Sequence, residues 1–306
     1  MLFSHSLDGI GNTPLVRLTG VEKAFQLNTE LYAKLEYYNP AGSIKDRAAL
    51  WMVTAAERAG LLKEGGCVVE ATSGNTGIGL AYVCAVKGYT FIAVMPETAS
   101  VERVKLMKAY GAEVVLTSGA EGMAGSIAVA KNIAAERGAY YPDQFSNSAN
   151  ALAHYESTGV EIYRDLPTVD ILVAGIGSGG TISGNAKYLK EQNPTVLAVG
   201  VEPSASPFLT KGEKGAHKIE GIGAGFLPKT LDTSVVDEVI CVEDSDAFRY
   251  AKAVAKADGI FVGISSGAAL CGGIELSKRE ENFGKKIVVI FADGGGRYLS
   301  NPLFTE

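Results

Sequence analysis

The sequence predicts an α/β protein with mostly parallel sheets. Short apolar segments of strand length alternate with helix-length segments along nearly the whole chain. Glycines follow several of the helical segments, as at Gly60, Gly88, Gly111 and Gly138, where a left-handed residue can end a helix. A strand, a helix and a second strand in succession are typical of a right-handed parallel β-α-β unit whose sheet is covered on both faces.

The elements of the first half follow from hydrophobic runs and helix end signals. They are predicted as a helix over 44–59, a strand over 67–71, a helix over 75–87, a strand over 90–95, a helix over 100–110, a strand over 113–116 and a helix over 120–137. A polar break at 141–147 then interrupts the alternation. We therefore predict a smaller N-terminal α/β domain over 1–147 and a larger C-terminal α/β domain over 148–306. An alternative packs the first ~35 residues on the larger domain.

The second half continues the same alternation after the polar break. Its elements are predicted as a helix to about 165, a strand over 170–174, a helix over 181–192, a strand over 196–201, a helix over 244–258, a turn over 263–267 with a helix after it, and a strand over 287–291. The region 202–233 is rich in proline and glycine and is predicted as loop. A loop of that length is usually functional.

Composition and charge exclude several classes of function. The net charge of −6 and pI of about 5.3 argue against binding to nucleic acid or to an anionic membrane. The chain has neither a long apolar run nor a leader-like N-terminus, so we expect a cytoplasmic protein. The cysteines and histidines are scattered without zinc spacing, and we expect no metal site.

Lys45 is the first candidate catalytic residue. The segment 39–47 follows an apolar run, and Ser43 is well placed to cap a helix that begins at about Ile44. A lysine in the first turn lies near the positive end of the helix dipole, which lowers its pKa. A neutral amine can attack a carbonyl, so one interpretation is a Schiff-base lysine for pyridoxal phosphate (PLP) or for a carbonyl substrate. The other is a solvated lysine paired with Asp46.

A glycine-rich loop over 175–181 is the second candidate. It follows a predicted strand and opens a helix, so its N–H groups and the helix N-terminus favour a phosphate. The same loop also fits a dinucleotide fingerprint through Gly175, Gly177 and Gly180, with Glu202 where a ribose-binding acid would stand. An NAD-dependent enzyme and a merely structural tight turn are therefore alternatives.

The loop over 70–77 lies between another predicted strand and helix. The hydroxyls of Thr72, Ser73 and Thr76, together with exposed N–H groups, predict a site for a small anion such as an amino-acid carboxylate. Asn75 can donate to an oxygen of a cofactor. Helix capping explains one or two of these residues but not so dense a run.

A third loop, over 263–268, contains Ser265. A serine that faces a pyridine nitrogen can donate a hydrogen bond but cannot protonate the ring as an aspartate would. The ring then stays a weaker electron sink, which favours loss of a leaving group from the β-carbon. Taken alone, the serines of this loop would be interpreted as a helix cap.

Lys45 in its 39–47 segment, the 72–77 loop, the 177–181 loop and Ser265 occur in the order and spacing of one family. The chain resembles the cysteine synthases (O-acetylserine sulfhydrylases) of the cysteine synthase/cystathionine β-synthase family. These are fold-type II PLP enzymes with the tryptophan synthase β-subunit-like fold. The resemblance extends from Ile10 to Ser300, and it implies two α/β domains with the cofactor between them.

The resemblance implies a role for each candidate residue. Lys45 would hold PLP as a Schiff base and then act as the base at the substrate Cα. Gly177, Ser178, Gly179, Gly180 and Thr181 would bind the cofactor phosphate, Asn75 the 3′-oxygen and Ser265 the ring nitrogen, whereas Thr72, Ser73, Thr76 and Gln144 would bind the substrate carboxylate.

The implied reaction is β-replacement, which makes L-cysteine from O-acetyl-L-serine and sulfide through an aminoacrylate. Alternatives within the family are a cystathionine β-synthase and an enzyme that consumes cysteine and releases sulfide. The segment 221–226 carries no acid that could activate water in place of sulfide, which favours the synthase. The resemblance also implies a homodimer and a serine acetyltransferase whose C-terminal tail enters the active site. A non-catalytic sensor that binds such a peptide is a further alternative.

Overall fold

A computed structural model of the chain describes residues 2–299. Met1 and residues 300–306, which include the outer ends of both predicted domains and the last residue of the resemblance, lie outside the described residues. Within residues 2–299 the strands are β1 (Leu15–Arg17), β2 (Glu30–Leu35), β3 (Cys67–Ala71), β4 (Thr90–Pro96), β5 (Glu113–Thr117), β6 (Ile171–Gly175), β7 (Leu197–Pro203), β8 (Glu238–Val242) and β9 (Lys286–Phe291).

The α-helices of the same part of the chain connect these strands. They are α1 (Thr19–Phe25), α2 (Lys45–Arg58), α3 (Asn75–Lys87), α4 (Val101–Ala109), α5 (Gly122–Arg137), α6 (Ser148–Ala153), α7 (Gly159–Asp165), α8 (Gly180–Gln192), α9 (Phe208–Lys211), α10 (Asp244–Asp258) and α11 (Ile264–Ser277). No helix in residues 2–299 is long and apolar enough to cross a membrane.

The chain divides into two compact units. The first unit comprises the residues up to Ile10 together with Asn39–Asn150. Its sheet has the order β3-β4-β5 and is entirely parallel. Gly79 of α3 lies against α2, because a Cβ added to it would stand 3.0 Å from the carbonyl oxygen of Lys45. This close helix packing fixes the backbone at the start of α2.

The second unit comprises Gly11–Tyr38 and the residues from Ala151 onward. Its six-stranded sheet has the order β1-β2-β9-β6-β7-β8. Every neighbouring pair is parallel except β1 and β2, which are antiparallel. The prediction of an α/β fold with mostly parallel sheets is therefore confirmed. The candidate loops over 70–77 and 175–181 lie at the carboxyl ends of the parallel strands β3 and β6, as expected for such sheets, whereas the 263–268 segment follows helix α10.

The predicted elements differ from the structure in several places. The helix predicted over 44–59, α2 in the structure, begins at Lys45 rather than Ile44. Ser43 Oγ does accept the Lys45 N–H at 3.2 Å. The predicted helix to about 165 contains a π-helical turn, His154–Thr158, which closes with a bond from the Gly159 N–H to the His154 carbonyl. Strands β1, β2 and β8 and helix α1 were not predicted, and helix α9 lies in the region predicted as loop. The three-residue strand β1 and the four-residue helix α9 are too short to show a clear periodicity.

The predicted turn over 263–267 is also wrong. Helix α11 begins at Ile264, directly after Gly263 in an extended conformation. Gly267 is required for packing rather than for turning, because a Cβ there would lie 2.0 Å from the carbonyl oxygen of Ala247 in α10. Ser265 therefore lies in the first turn of a buried helix.

Candidate active site

Lys45 is the first residue of α2, and its side chain is half-buried. Burial lowers the pKa of Lys45 from its ordinary value to about 8. The direction agrees with the sequence prediction, and desolvation of the buried amine is its cause. Within residues 2–299 the amine has no ion-pair partner, and the Asp46 carboxylate instead accepts the Ala41 N–H at 2.6 Å. The amine therefore has a larger neutral fraction near neutral pH than an ordinary lysine.

The loop after β3 brings Thr76 and Gln144 together. Thr76 Oγ1 donates to Gln144 Oε1 at 2.6 Å, and both residues are buried. Thr72 Oγ1 accepts the N–H groups of Gly77 and Gly74 at 3.2 and 3.4 Å, which fixes the shape of the loop. A carboxylate bound here would meet hydroxyl and amide groups and the N-terminus of α3, all of which favour an anion.

Ser73 and Asn75 complete this loop and are half-buried. The Ser73 carbonyl accepts a long bond of 3.5 Å from Arg103 Nη1 of α4. Asn75 is the first residue of α3. Gly74, between them, has an extended backbone and no atom within 4 Å of an added Cβ, so the outer part of the loop is loosely packed.

The glycine loop after β6 is packed far more tightly. A Cβ on Gly177 would lie 2.3 Å from the carbonyl oxygen of Gly221, and a Cβ on Gly179 would lie 2.6 Å from Leu231 Cβ. Gly179 also has a φ of +86°, which side chains rarely adopt. The loop therefore tolerates only glycine at these two positions, and its backbone N–H groups can approach a phosphate closely.

Buried hydroxyls flank this loop. Thr181 Oγ1 lies 3.3 Å from His154 Nε2, and His154 Nδ1 lies 3.0 Å from Thr158 Oγ1. Thr230 Oγ1 donates to the carbonyl of Ser178. The π-helical turn and the 228–232 region thus hold the loop from two sides.

Ser265 is 7% exposed and lies in the first turn of α11. Its Oγ lies 4.0 Å from the position of a Cβ on Gly221, the same residue whose carbonyl contacts the Gly177 loop. Within the described part of the chain, Ser265 Oγ makes no hydrogen bond. Its hydroxyl can therefore donate to a ligand that is also held by the glycine loop.

These features fit PLP. A side chain at Gly177 would occupy the space of the glycine loop, so the loop can bind an anion only through its backbone N–H groups. In the same unit, the Ser265 hydroxyl is a hydrogen-bond donor without a partner among the described residues. The other unit carries a lysine whose amine loses its charge readily. A phosphorylated pyridine aldehyde requires a loop that binds its phosphate, a hydrogen-bond donor for its ring nitrogen and an amine that reacts with its aldehyde.

The dinucleotide alternative does not fit the structure. Glu202 is 2% exposed and is already engaged, because its carboxylate accepts the N–H groups of Leu209 and Thr210 and the Thr210 hydroxyl at 2.6–3.0 Å. It caps the short helix α9 and is not free for a ribose. The spacing of Gly175, Gly177, Gly180 and Glu202 therefore matches the dinucleotide fingerprint although Glu202 has a structural role.

Sequence reasoning gave no role to three residues near the site. Glu70 is a buried acid at the end of β3, His154 contacts Thr181, and Gly221 lies between the glycine loop and Ser265. Glu70 could have been noticed as an acid inside an apolar strand. The other two depend on a π-helical turn and on loop packing, which leave no local pattern.

Comparison with known proteins gives a consistent result. A family model described as "Pyridoxal-phosphate dependent enzyme" matches residues 6–293. A cysteine synthase of Staphylococcus aureus (strain Mu50 / ATCC 700699) is 49% identical over 298 residues, 97% of this chain and 95% of the relative. Two solved structures are also similar. A cysteine synthase from Entamoeba histolytica has a TM-score of 0.96 at 44% identity, covering 100% of this chain and 92% of the other. A hydrogen sulfide-producing enzyme from Fusobacterium nucleatum has a TM-score of 0.92 at 45% identity, covering 97% and 100%.

Proposed function

Because the chain belongs to the pyridoxal-phosphate dependent enzymes, we propose that it makes L-cysteine from O-acetyl-L-serine and sulfide by β-replacement. The similarity to cysteine synthases over 97% of the chain supports this choice of reaction. The structural observation that carries the proposal is Ser265, a neutral donor without a partner beside the glycine loop. A neutral donor suits a reaction that expels a β-substituent rather than one that needs a long-lived carbanion.

PLP, when bound, supplies an electron sink that weakens bonds at the Cα and Cβ of an amino acid. In this proposal Gly177, Ser178, Gly179, Gly180 and Thr181 bind its phosphate, mainly through backbone N–H groups and hydroxyls. Asn75 donates to its 3′-oxygen, and Ser265 donates to its ring nitrogen. The tight packing at Gly177 and Gly179 supports a rigid role for this loop.

Lys45 Nζ would hold the cofactor covalently and would move the proton at the substrate Cα. A lysine with a pKa of about 8 has a much larger neutral fraction near neutral pH than an ordinary lysine, and the neutral amine can both attack a carbonyl and accept a proton. Partial burial limits the access of water to the amine, which slows competing proton exchange. The same group can return the proton to the product.

Thr72, Ser73, Thr76 and Gln144 hold the carboxylate of the amino-acid substrate. Gln144 Oε1 accepts from Thr76, so the amide NH₂ of Gln144 is left to donate to the substrate. The N-terminus of α3 adds a favourable partial charge. This anchoring orients the Cα proton and the β-substituent for reaction.

We also propose a homodimer and a serine acetyltransferase partner, both implied by the resemblance to cysteine synthases. A C-terminal carboxylate of the partner would bind Thr72, Ser73, Thr76 and Gln144, because their hydroxyl and amide groups suit any small carboxylate. O-acetylserine should then compete with the tail. The cytoplasmic location stays a prediction from the sequence.

A sulfide-releasing reaction on cysteine is the second candidate. It is favoured by the 45% sequence identity to the hydrogen sulfide-producing enzyme from Fusobacterium nucleatum, which matches the 44% identity to the cysteine synthase structure from Entamoeba histolytica, although the TM-score of 0.92 is lower than 0.96. Against it, the segment 221–226 offers no acid to activate a water molecule. A cystathionine β-synthase activity is tested by the same experiment.

The experiment incubates the purified PLP-loaded protein with O-acetylserine plus sulfide, thiosulfate or homocysteine, and separately with cysteine alone. Mass spectrometry identifies the products. We expect cysteine from sulfide to be formed fastest, and a loss of at least about 1,000-fold in Lys45→Ala because the base and covalent anchor are both removed. Lys63→Ala, which removes an exposed lysine, is the matched control and should keep full activity. Cystathionine as the dominant product, or sulfide released from cysteine at a higher rate, would overturn the proposal.

A further inference from the structure

Glu70 is a buried acid that the proposed mechanism does not use. It lies at 2% exposure in β3, two residues before Thr72, and belongs to the same unit as Thr76 and Gln144. A carboxyl group in an apolar strand is costly unless it is hydrogen-bonded, so its partners indicate what it does.

The partners of Glu70 are backbone groups of the turn that carries Gln144. Glu70 Oε2 accepts the Asp143 N–H at 2.9 Å. The N–H groups of Asp143 and Gln144 both stabilise the charged form of this carboxyl. Glu70 therefore connects the end of β3 directly to the 142–147 turn.

The turn itself is held in an uncommon conformation. Asp143 has a φ of +50°, a value that costs free energy for a residue other than glycine. The Asp143 carbonyl accepts the N–H groups of Ser146 and Asn147 at 2.9 Å, and the Gln144 carbonyl accepts Asn150 Nδ2 at 2.7 Å. Backbone bonds between β3 and Tyr140 hold the chain just before the turn, and Glu70 holds the turn itself.

Gln144 connects the turn to the 72–77 loop through its side chain. Its side chain, at 9% exposure, accepts the Thr76 hydroxyl at 2.6 Å. If the turn shifted, the amide could not meet Thr76 and also present its NH₂ group to a carboxylate, because hydrogen bonds weaken steeply with distance and angle.

We propose that Glu70 is a positioning residue that holds the 142–147 turn, so that Gln144 and Thr76 together bind the α-carboxylate of the amino-acid substrate. The proposal rests on the proposed function only in the identity of that substrate. Glu70 acts through Gln144 and does not touch the substrate itself.

The protonation state of Glu70 is consistent with this role. Burial, opposed by the hydrogen bonds from the backbone and assisted by the nearby Asp143 carboxylate, raises the pKa of Glu70 to about 8, so the carboxyl is mostly neutral at neutral pH. A neutral carboxyl can still accept the Asp143 N–H. It also adds no negative charge near a loop that binds an anion, whereas a fully ionised acid would repel the substrate carboxylate.

A double-mutant cycle between Glu70 and Gln144 tests the proposal on the PLP-loaded protein. Glu70→Met keeps the volume but removes the acceptor, and we expect it to raise KM for O-acetylserine about tenfold with kcat changed less than about twofold. Gln144→Ala should raise KM by at least as much. In the Gln144→Ala background, Glu70→Met should add less than about twofold, because its route to the substrate is already lost.

Two further variants distinguish the position of the acceptor oxygen at residue 70 from the volume of the side chain. Glu70→Gln keeps an oxygen acceptor at the same position and should keep KM within about twofold of the wild type. Glu70→Asp keeps the acid but withdraws it by one methylene, and should raise KM nearly as much as Glu70→Met. Glu70→Asp also tests the proposal if Glu70→Met fails to fold, which circular dichroism and PLP content would reveal.

Calorimetric binding of L-serine to the same variants gives a readout that does not depend on turnover, and its Kd should follow the same pattern as KM. If the wild type bound L-serine but made no cysteine, the proposed function would fail while the cycle still tested Glu70. KM effects that multiply in the double variant, or a Glu70→Gln as damaging as Glu70→Met, would overturn the positioning role.

Discussion

The two halves of the proposed site are built in different ways. In the second unit, the glycine loop is defined by backbone packing, with the Gly177 Cα against the Gly221 carbonyl and Gly179 against Leu231. In the first unit, the carboxylate loop is defined by polar side chains, in the bonds Thr76–Gln144 and Glu70–Asp143. Under the proposed function, the cofactor phosphate is bound by the tightly packed loop, and the substrate carboxylate is bound by the loop with the network of hydrogen bonds.

The difference has a physical basis. Close packing leaves no room for adjustment, since an added methyl group meets backbone atoms that cannot move away cheaply. Hydrogen bonds between side chains can break and form again with small net changes in free energy. The substrate loop can therefore adapt to ligands, whereas the phosphate loop cannot.

The largest effect on cofactor affinity is expected from a methyl group placed in the rigid loop. Gly177→Ala would put a Cβ 2.3 Å from the Gly221 carbonyl oxygen, so the loop must shift and its N–H groups lose their alignment. We expect PLP to bind at least about 100-fold more weakly, as measured by equilibrium titration of the cofactor-free protein.

Gly74→Ala is the matched control, because it adds the same methyl group to the carboxylate loop. No atom lies within 4 Å of the added Cβ, and the backbone is extended. PLP affinity should change less than about twofold. Equal losses in the two variants would contradict the contrast between a rigid and an adaptable loop.

The second prediction concerns how pH affects the stability of the polar half. Glu70 has a folded-state pKa of about 8, above its unfolded value, so the folded state binds more protons between the two values. Its contribution to stability is fully present below the unfolded pKa and is lost as pH rises through about 8. Glu70→Gln cannot ionise and escapes this loss.

Urea unfolding of the two proteins measures this effect as a difference. Relative to the wild type, Glu70→Gln should gain about 2–3 kcal/mol of unfolding free energy between pH about 6 and about 8. Tyr140 and Tyr141, which also lie near Glu70, do not titrate in this range because burial raises the pKa of both. Asp143, the other charged group that faces Glu70, is present in both proteins. A difference that does not vary with pH would show that Glu70 is already ionised in the folded protein.

Much of the fold was predictable from the sequence, because long strands and helices carry strong patterns. Strand β3 and helix α3 have the predicted bounds, and the resemblance to cysteine synthases is confirmed by the comparisons. The family assignment, and with it PLP dependence, follows from motifs whose residue types are demanded by the ligand. The roles of the individual site residues stay predictions.

The supporting residues could not be predicted, since their roles depend on contacts between segments far apart in the chain. Glu70 meets Asp143 across 73 positions, and His154 meets Thr181 across 27 positions through a π-helical turn. Glu202 shows the opposite failure. Its spacing suggested a ribose ligand, but the structure uses it to cap α9. Spacing along a chain specifies neither the direction nor the partner of a side chain.

The smallest predicted effect concerns a single hydroxyl in the rigid half. Ser265→Ala removes one hydrogen bond to the proposed ring nitrogen but leaves the backbone of α11 unchanged, so we expect kcat to fall only about five- to tenfold, equivalent to roughly 1 kcal/mol. Ser266→Ala is the control, because its hydroxyl lies one residue along the same helix turn and donates instead to the Asp293 carbonyl at 3.5 Å. Steady-state kinetics and the absorption spectrum of bound PLP would be recorded for both. A loss of PLP in Ser265→Ala as large as that in Gly177→Ala would mean that the hydroxyl, and not backbone packing, holds the cofactor in this half of the site.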